Sequence, residues 1–298
     1  MSAAPRLALG TVHFGLAYGL GKGPSPLPRE TVREILSAAW AGGIDMLDTA
    51  AAYGDAERAI GESCPSAARF AVVSKLAPMA RADFGAAEVR AATERARESV
   101  RLLGVPALDA LLVHHAPDLL APGGAALSRA LEALRAEGVT RRIGVSVYDA
   151  ATLNAVLGAG PIQLVQLPLN VLDQRFLADG TLAALARRGI EVHVRSVFLQ
   201  GALLADPREL AGRAAALRRP VERFQAAAAG AGLTPAAAAL AFVARCRDLA
   251  RVIVGVDSAA QLRADAAQFA AAREAPPALD FGAHALADPA PADPRSWS

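Results

Sequence analysis

Eight short, β-branched apolar runs alternate with helix-period segments between residues 7 and 255, and predict a single-domain α/β protein built as a (β/α)8 TIM barrel. Two further observations support that fold. Most of the runs are apolar at nearly every position, as parallel strands covered on both faces require. Several helix-period segments end in glycine just before the next run, where a left-handed C-cap favours that residue. With 298 residues, 53% of them apolar, the chain can bury a core of this size.

In chain order the strand candidates are 7–12, 44–48, 70–74, 110–114, 142–145, 163–167, 191–196 and 251–255. Apolar residues at helical spacing mark 29–41, 86–103, 125–137 and 181–188 between them. Gly42-Gly43, Gly138 and Gly189 close three of these helices. A doubly wound open sheet is the alternative, and it asks for a glycine-rich phosphate turn directly after the first strand. Gly15 and the cluster Gly19, Gly21 and Gly23 stand there without the spacing of a dinucleotide fingerprint. Three segments exceed ordinary loop length: 115–124, 197–219 and 273–298. The first two follow strands four and seven and are candidate substrate walls, because loops after strands build a barrel's active face. The tail, rich in Pro and Ala (Pro276, Pro277, Pro289, Pro291, Pro294), either folds over that face or frays. The whole chain, 1–298, reads as one domain, and Trp40, inside an apolar helix, is expected in its core.

Charge and cysteine usage exclude several classes of function. A formal net charge of +2, with basic residues spread along the chain, argues against a nucleic-acid groove or an anionic membrane partner. The dense group Arg213, Arg218, Arg219 and Arg223 reads as a solvated face. Cys64 and Cys246 are too few and too isolated for a disulfide framework or a metal cluster, so no metal is expected. Neither a signal peptide nor an apolar run of about eighteen residues is evident, so a cytoplasmic protein is expected.

The chemistry concentrates on the ends of strands two, three and four. Asp48 ends the second strand, Lys75 lies one residue past the third, His114 ends the fourth, and Tyr53 follows in the loop after Asp48. In a barrel these ends converge on one opening. A free phenol has a pKa of about 10 and exchanges protons slowly at neutral pH. A neighbouring ammonium favours the phenolate and is expected to lower that value, while an aspartate keeps the ammonium charged and oriented. A histidine can then hydrogen-bond the substrate oxygen, where charge develops. Taken singly each residue has a plainer reading: Asp48 as a turn cap, Lys75 snorkelling, His114 satisfied in the core, Tyr53 packing. Their joint occurrence points to carbonyl reduction.

The segments Asp48-Thr-Ala-Ala-Ala-Tyr53-Gly54, Ser74-Lys75 and Asp109-Ala-Leu-Leu-Val-His114 resemble motifs of the aldo-keto reductase superfamily. Similarity continues through Ile143–Ser146, Val165-Gln166 with Asn170, Arg195-Ser196 and Val252-Ile253-Val254-Gly255, in order along almost the whole chain. The resemblance implies Tyr53 as general acid, Lys75 and Asp48 as its tuners, and His114 as carbonyl orienter. It implies NADPH or NADH bound across the C-terminal face without a Rossmann fold, and a small-molecule carbonyl substrate, in a monomer or small homo-oligomer. Ser146, Gln166 and Asn170 would meet the carboxamide, Gly10 and Thr11 the nicotinamide end, and Ser196 the pyrophosphate. An N-terminal hairpin that often plugs the barrel in relatives is expected to be absent, since the chain starts almost directly on strand one.

Departures from the family pattern limit what carries over. The usual Ser-Asn pair is Ser146-Val147, with Asn170 as a substitute. Arg195 stands where relatives stack an aromatic ring, so it can stack as a planar guanidinium or pair with a substrate carboxylate or phosphate. Gly255 and Gln261 replace the lysine and arginine that grip a 2′-phosphate, with Arg263 near and Asp257 and Asp265 flanking, which favours NADH or dual use. His115 replaces a tryptophan and, with His13, suggests a polar pocket for sugar-derived or other polar carbonyls, unless it faces solvent. The competing functions are a dinucleotide-binding regulatory barrel with little turnover, and a barrel isomerase or lyase without nicotinamide.

Overall fold

Alternation along each strand sorts the side chains into two cores. The computed structural model describes residues 4–20, 26–64, 69–79, 83–275 and 279–297, so Gly21, Gly23, Pro276 and Pro277 lie outside the described residues. Eight strands, β1 (Arg6–Gly10), β2 (Met46–Asp48), β3 (Ala71–Leu76), β4 (Ala110–Val113), β5 (Ile143–Ser146), β6 (Leu164–Pro168), β7 (Glu191–Arg195) and β8 (Arg251–Gly255), pair in sequence order and close into a barrel. Every pairing is parallel, including the closing β1–β8 ladder that sets Gly10 against Gly255. The helices are α1 (Val12–Gly15), α2 (Arg29–Ala41), α3 (Ala56–Ser63), α4 (Ala86–Leu103), α5 (Gly124–Ala136), α6 (Ala150–Val156), α7 (Arg175–Ala178), α8 (Thr181–Arg187), α9 (Arg218–Gly230), α10 (Pro235–Arg245) and α11 (Ala259–Glu274).

Local chemistry sets the helix ends. At α4, the Gly85 N–H donates to the Glu88 carboxylate at 2.8 Å, and Gly104 ends the helix at φ 65°. At α10, Thr234 Oγ1 accepts from the Ala237 N–H at 3.1 Å, with Pro235 in the first turn, where its missing donor costs nothing. Among the described residues no single helix is long and apolar enough to cross a membrane.

Inward-facing Ala8, Met46, Val73, Ala110, Leu112, Leu164 and Ile253 fill the middle of the barrel, separated from the larger core between strands and helices. Polar layers lie above and below this plug. Below it, Asp45 pairs with Arg6 at 2.9 Å and Arg251 at 2.7 Å. Arg142 bridges Asp109 and Glu191, and Glu191 also meets the fully buried His193 at 2.7 Å. The layer above carries the candidate site.

Most strand limits fall within one or two residues of their expected positions, with one consequence for function. β3 runs on to Leu76, so Lys75 sits inside the ladder opposite Leu112 rather than one residue past the strand. Trp40 is not core: it is 43% exposed, at the margin of the buried Val32-Ile35-Leu36-Ala39 stripe of α2. It packs edge-on against Phe70 at 5.5 Å, with the Arg69 guanidinium 5.0 Å from its ring centroid. Arg213, Arg218, Arg219 and Arg223 are exposed, as a solvated face requires. The described tail folds over the C-terminal face: Gln174 donates to Phe281 O at 2.7 Å, Leu286 N to Leu172 O at 2.9 Å, and Arg213 to Ser296 O at 2.9 Å.

Candidate active site

Adjacent strands β2 and β3, with β6 from across the barrel, bring Asp48, Lys75 and Gln166 into one buried cluster. The Lys75 ammonium donates to Asp48 Oδ2 at 2.7 Å and to Thr49 O at 2.9 Å, and its Nζ lies 3.5 Å from the Tyr53 hydroxyl. Gln166, reaching across the barrel mouth from β6, donates from Nε2 to Asp48 Oδ1 at 2.7 Å. Both carboxylate oxygens of Asp48 are therefore engaged. Thr11 N–H and Oγ1 both donate to the Asp48 carbonyl, at 3.0 and 2.9 Å, so its hydroxyl fastens the β2 exit.

Tyr53 rides on a tight turn, its N–H bonded to Ala50 O at 3.0 Å. The next residue, Gly54, has φ 56°, and a Cβ there would come within 2.4 Å of Gly15 O. A Cβ on Gly15 would in turn lie 2.0 Å from Tyr53 O. Two glycines thus let the β1 exit press directly against the tyrosine turn. His114 follows β4, with its ring edge-on to Tyr53 at a centroid distance of 5.8 Å.

The electrostatics differ from the sequence expectation at one point. Burial pushes the Tyr53 phenol above its ordinary value, the Asp48 carboxylate pushes it the same way, and Arg195 opposes them. The ammonium beside it does not reverse that direction, so the phenol is held protonated. Burial pulls Lys75 below the usual lysine range, against the hold of Asp48. His114 is pushed down to about 3, first by burial and then by the charges of Lys75, Arg195 and His115. It is a neutral imidazole at physiological pH.

A cavity of about 380 Å3 opens from Asp48 and Tyr53 along the ends of β7, β8 and β1. Of the residues assigned to a dinucleotide from the sequence, Gly10, Thr11, Arg195, Ser196, Gly255 and Gln261 line it. Ser146, Gln166 and Asn170 lie buried at the exits of β5 and β6, outside that lining. Asn170 Oδ1 is taken by the Leu172 and Asp173 N–H groups at 3.0 Å, which fixes its own turn. Among the described residues, Asn170 Nδ2 and Gln166 Oε1 lack partners although buried. One orphan donor and one orphan acceptor match the two halves of a carboxamide, so these residues fit a nicotinamide. At the other end of the cavity, Asp257 lies 3.0 Å from His13 Nδ1, and Gln261 Oε1 accepts from the Asp257 N–H at 3.0 Å. Asp265 is buried on α11 instead of flanking the groove. His115 points half into solvent, 2.7 Å from Asp118, and does not line the cavity.

Several residues at this face carry no signal in the motifs. Tyr18 receives a hydrogen bond from Gln200 at 3.0 Å, and Leu20 N–H reaches Gln200 O at 3.0 Å, so the β1 and β7 loops meet above the cavity. Tyr148 lies between two guanidinium groups, Arg195 at 4.0 Å and Arg295 of the tail at 3.6 Å. The available hint was scarcity: Tyr18, Tyr53 and Tyr148 are the chain's three tyrosines, and all three follow strands on the C-terminal side.

Comparisons with known proteins agree with this geometry. The sequence profile of the aldo/keto reductase family matches residues 6–273. An aldo-keto reductase from Mycobacterium sp. (strain KMS) is 34% identical over 213 residues, covering 68% of this chain and 71% of its own. Two solved structures share the fold. The holo form of the aldo-keto reductase AKR11C1 from Bacillus halodurans has a TM-score of 0.72 at 19% identity, with 95% and 92% of the two chains covered. The glycerol dehydrogenase AKR11B4 from Gluconobacter oxydans has a TM-score of 0.66 at 20% identity, with 89% and 86% covered. With the family profile spanning nearly every strand and helix described above, the chain belongs to the aldo/keto reductase family of NAD(P)-dependent oxidoreductases.

Proposed function

We propose that this chain reduces a small polar aldehyde or ketone, sugar-derived carbonyls included, with Tyr53 as the proton donor. The observation that carries the reading is the Tyr53 hydroxyl, 3.5 Å from the ammonium of a buried Lys75–Asp48 pair, with its ring edge-on to His114. When bound, NADPH or NADH supplies the hydride. Gln166, Asn170 and Ser146 would hold its carboxamide, Gly10 and Thr11 would border its ring, and Ser196, Gly255 and Gln261 would follow its phosphates and ribose.

The protein's own part is proton delivery at one atom. As charge grows on the carbonyl oxygen, the neutral His114 imidazole can donate a hydrogen bond to it, and Tyr53 gives up its proton. The phenolate left behind faces the Lys75 ammonium, which Asp48 and Thr49 O keep in place. Stabilisation of the phenolate is thus prepared before the reaction and requires no reorganisation of water. His13, Tyr18, Gln200 and Arg195 give the cavity a polar wall, which favours hydroxylated substrates over aromatic ones. The Asp257 carboxylate near the start of α11, with Gly255 and Gln261 in place of cations, favours NADH over NADPH.

Fluorescence titration with NADPH and NADH, followed by turnover of hydroxylated aldehydes and ketones, tests this reading. Binding with steady oxidation of the reduced dinucleotide is expected, NADH binding at least as tightly. Tight binding with no turnover on any carbonyl would replace it with the regulatory barrel.

A further inference from the structure

Arg195 sits at the end of β7 with a side chain that lines the cavity. Its hydrogen bonds are long and all to neutral oxygens: Ser146 Oγ at 3.4 Å, Val147 O at 3.3 Å and Ser196 Oγ at 3.4 Å. Among the described residues no carboxylate pairs with it. The contrast with its neighbours is sharp, because Lys75 is matched by Asp48, Arg175 by Asp173, and Arg295 by Asp293. A part-buried guanidinium without a counter-charge is costly unless something else supplies one.

The guanidinium also packs on an aromatic ring. Its Cζ lies over the Tyr148 ring, 4.0 Å from the centroid, and the Arg295 Cζ lies over the same ring at 3.6 Å. Asp293, docked with the tail, fixes Arg295 in turn. A guanidinium carries parallel N–H donors, the geometry that takes a carboxylate or a phosphate. Here its terminal nitrogens donate only long bonds to neutral oxygens, which an anion would displace. Tyr53 and Arg195 border the same cavity.

We infer that the carbonyl substrate carries an anionic group, carboxylate or phosphate, and that Arg195, braced by Tyr148 and the tail's Arg295, is its receptor. This rests on the reductase reading above and deepens it. The anion stays unchanged; a bound reduced dinucleotide would supply the hydride to the carbonyl carbon. The carbon–oxygen π pair moves onto oxygen, and the Tyr53 proton completes the alcohol. An anion-bearing substrate also supplies the charge that Arg195 lacks within the protein, so binding and specificity come from one contact.

The test compares matched pairs: succinic semialdehyde against butanal for a carboxylate, and glyceraldehyde 3-phosphate against glyceraldehyde for a phosphate. For at least one pair, kcat/KM should favour the anion by roughly 10- to 100-fold, the worth of one charge-assisted pair. That ratio should fall toward one in Arg195→Met and be partly restored in Arg195→Lys, with the change mainly in KM. The pair with the larger ratio identifies the anion. Calorimetric titration with succinate and with inorganic phosphate gives a reading that needs no turnover. Binding by the parent and its loss in Arg195→Met are expected. Reduction of the neutral aldehydes as efficiently as the charged ones, or an Arg195→Met that weakens dinucleotide binding while leaving the ratio intact, would overturn the inference and leave the reductase reading standing. Absence of turnover on every carbonyl would instead fail the reductase reading, and anion binding that survives in Arg195→Met would refute the role of Arg195 by itself.

Discussion

The two ends of the barrel are both polar, yet they handle charge in opposite ways. At the N-terminal end, Arg6, Arg142 and Arg251 meet Asp45, Asp109 and Glu191, so three cations face three carboxylates. His193 adds its ring to Glu191, whose carboxyl is held down at about 2 by that hydrogen bond, over the opposing pull of burial, with Arg142 assisting. At the C-terminal end, Lys75 and Asp48 are matched, but among the described residues Arg195 has no counter-charge, and Gln166 Oε1 and Asn170 Nδ2 lack partners. One end matches its charges, with His193 Nδ1 left without a partner among the described residues. The other also leaves a cation unmatched, and open groups of that kind are candidate ligand contacts. Matched charge therefore distinguishes the N-terminal end of this barrel, and the unmatched Arg195 distinguishes the end that carries the candidate site.

The largest expected effect comes from breaking the buried Lys75–Asp48 pair at the working end. Lys75→Met leaves Asp48 buried without its counter-charge and should cost about 3–5 kcal/mol of stability. Turnover should fall by about 10²–10⁴-fold with it. Adding Asp48→Asn removes the stranded charge, so stability should largely return in the double variant while turnover does not. Chemical denaturation and steady-state rates on the two proteins separate the effects, and recovery of both together would erase the distinction between the ends.

Arg142→Met is the corresponding change at the other end. It leaves Asp109 and Glu191 without their shared cation and should cost about 2–4 kcal/mol. Turnover per folded molecule should stay within about twofold. A specific loss of kcat would mean that the lower layer reaches the chemistry.

A smaller effect sharpens the rule from outside either end. Asp265 is buried on α11 with Oδ2 unpartnered among the described residues, and burial raises its carboxyl from 3.8 to about 6. For a raised carboxyl, stability is full below the unfolded pKa and is lost as pH rises through the folded one. The parent should therefore lose about 2 kcal/mol between about pH 4 and pH 6 on this account. Asp265→Asn should flatten that stretch of the curve and be more stable at pH 7. The smallest expected effect is none at all: with His114 held near 3, kcat/KM should show no step from this imidazole between about pH 5 and pH 8.

Periodicity carried the fold. Runs such as 251–255 and helical stretches such as 29–41 and 86–103 coincide with β8, α2 and α4, because one period fits one element. The rim cluster was readable for a related reason: once the strands are in order, register brings Asp48, Lys75 and His114 to the same mouth. The Gln166 bond to Asp48 was not anticipated, because the sequence reading assigns Gln166 to a carboxamide contact. What was not readable depends on three-dimensional surroundings. The direction of the Tyr53 shift follows from burial, which no spacing reports, and it came out opposite to the expectation from a lysine neighbour. The Arg195–Tyr148–Arg295 stack needs the tail to dock first, and residues 195 and 295 are far apart in the chain. The close approach of Gly15 to Gly54 depends on how two loops meet, so Gly15 was visible only as one glycine among several.

The most direct test of the account is Tyr53→Phe, measured for dinucleotide affinity, thermal stability and turnover on one preparation. Affinity should stay within about threefold of the parent and stability within about 1 kcal/mol, since the hydroxyl makes one 3.5 Å contact, while kcat should fall by about 10²–10⁴-fold. Turnover near the parental rate in a folded, dinucleotide-binding Tyr53→Phe protein would contradict the assignment of Tyr53 as proton donor.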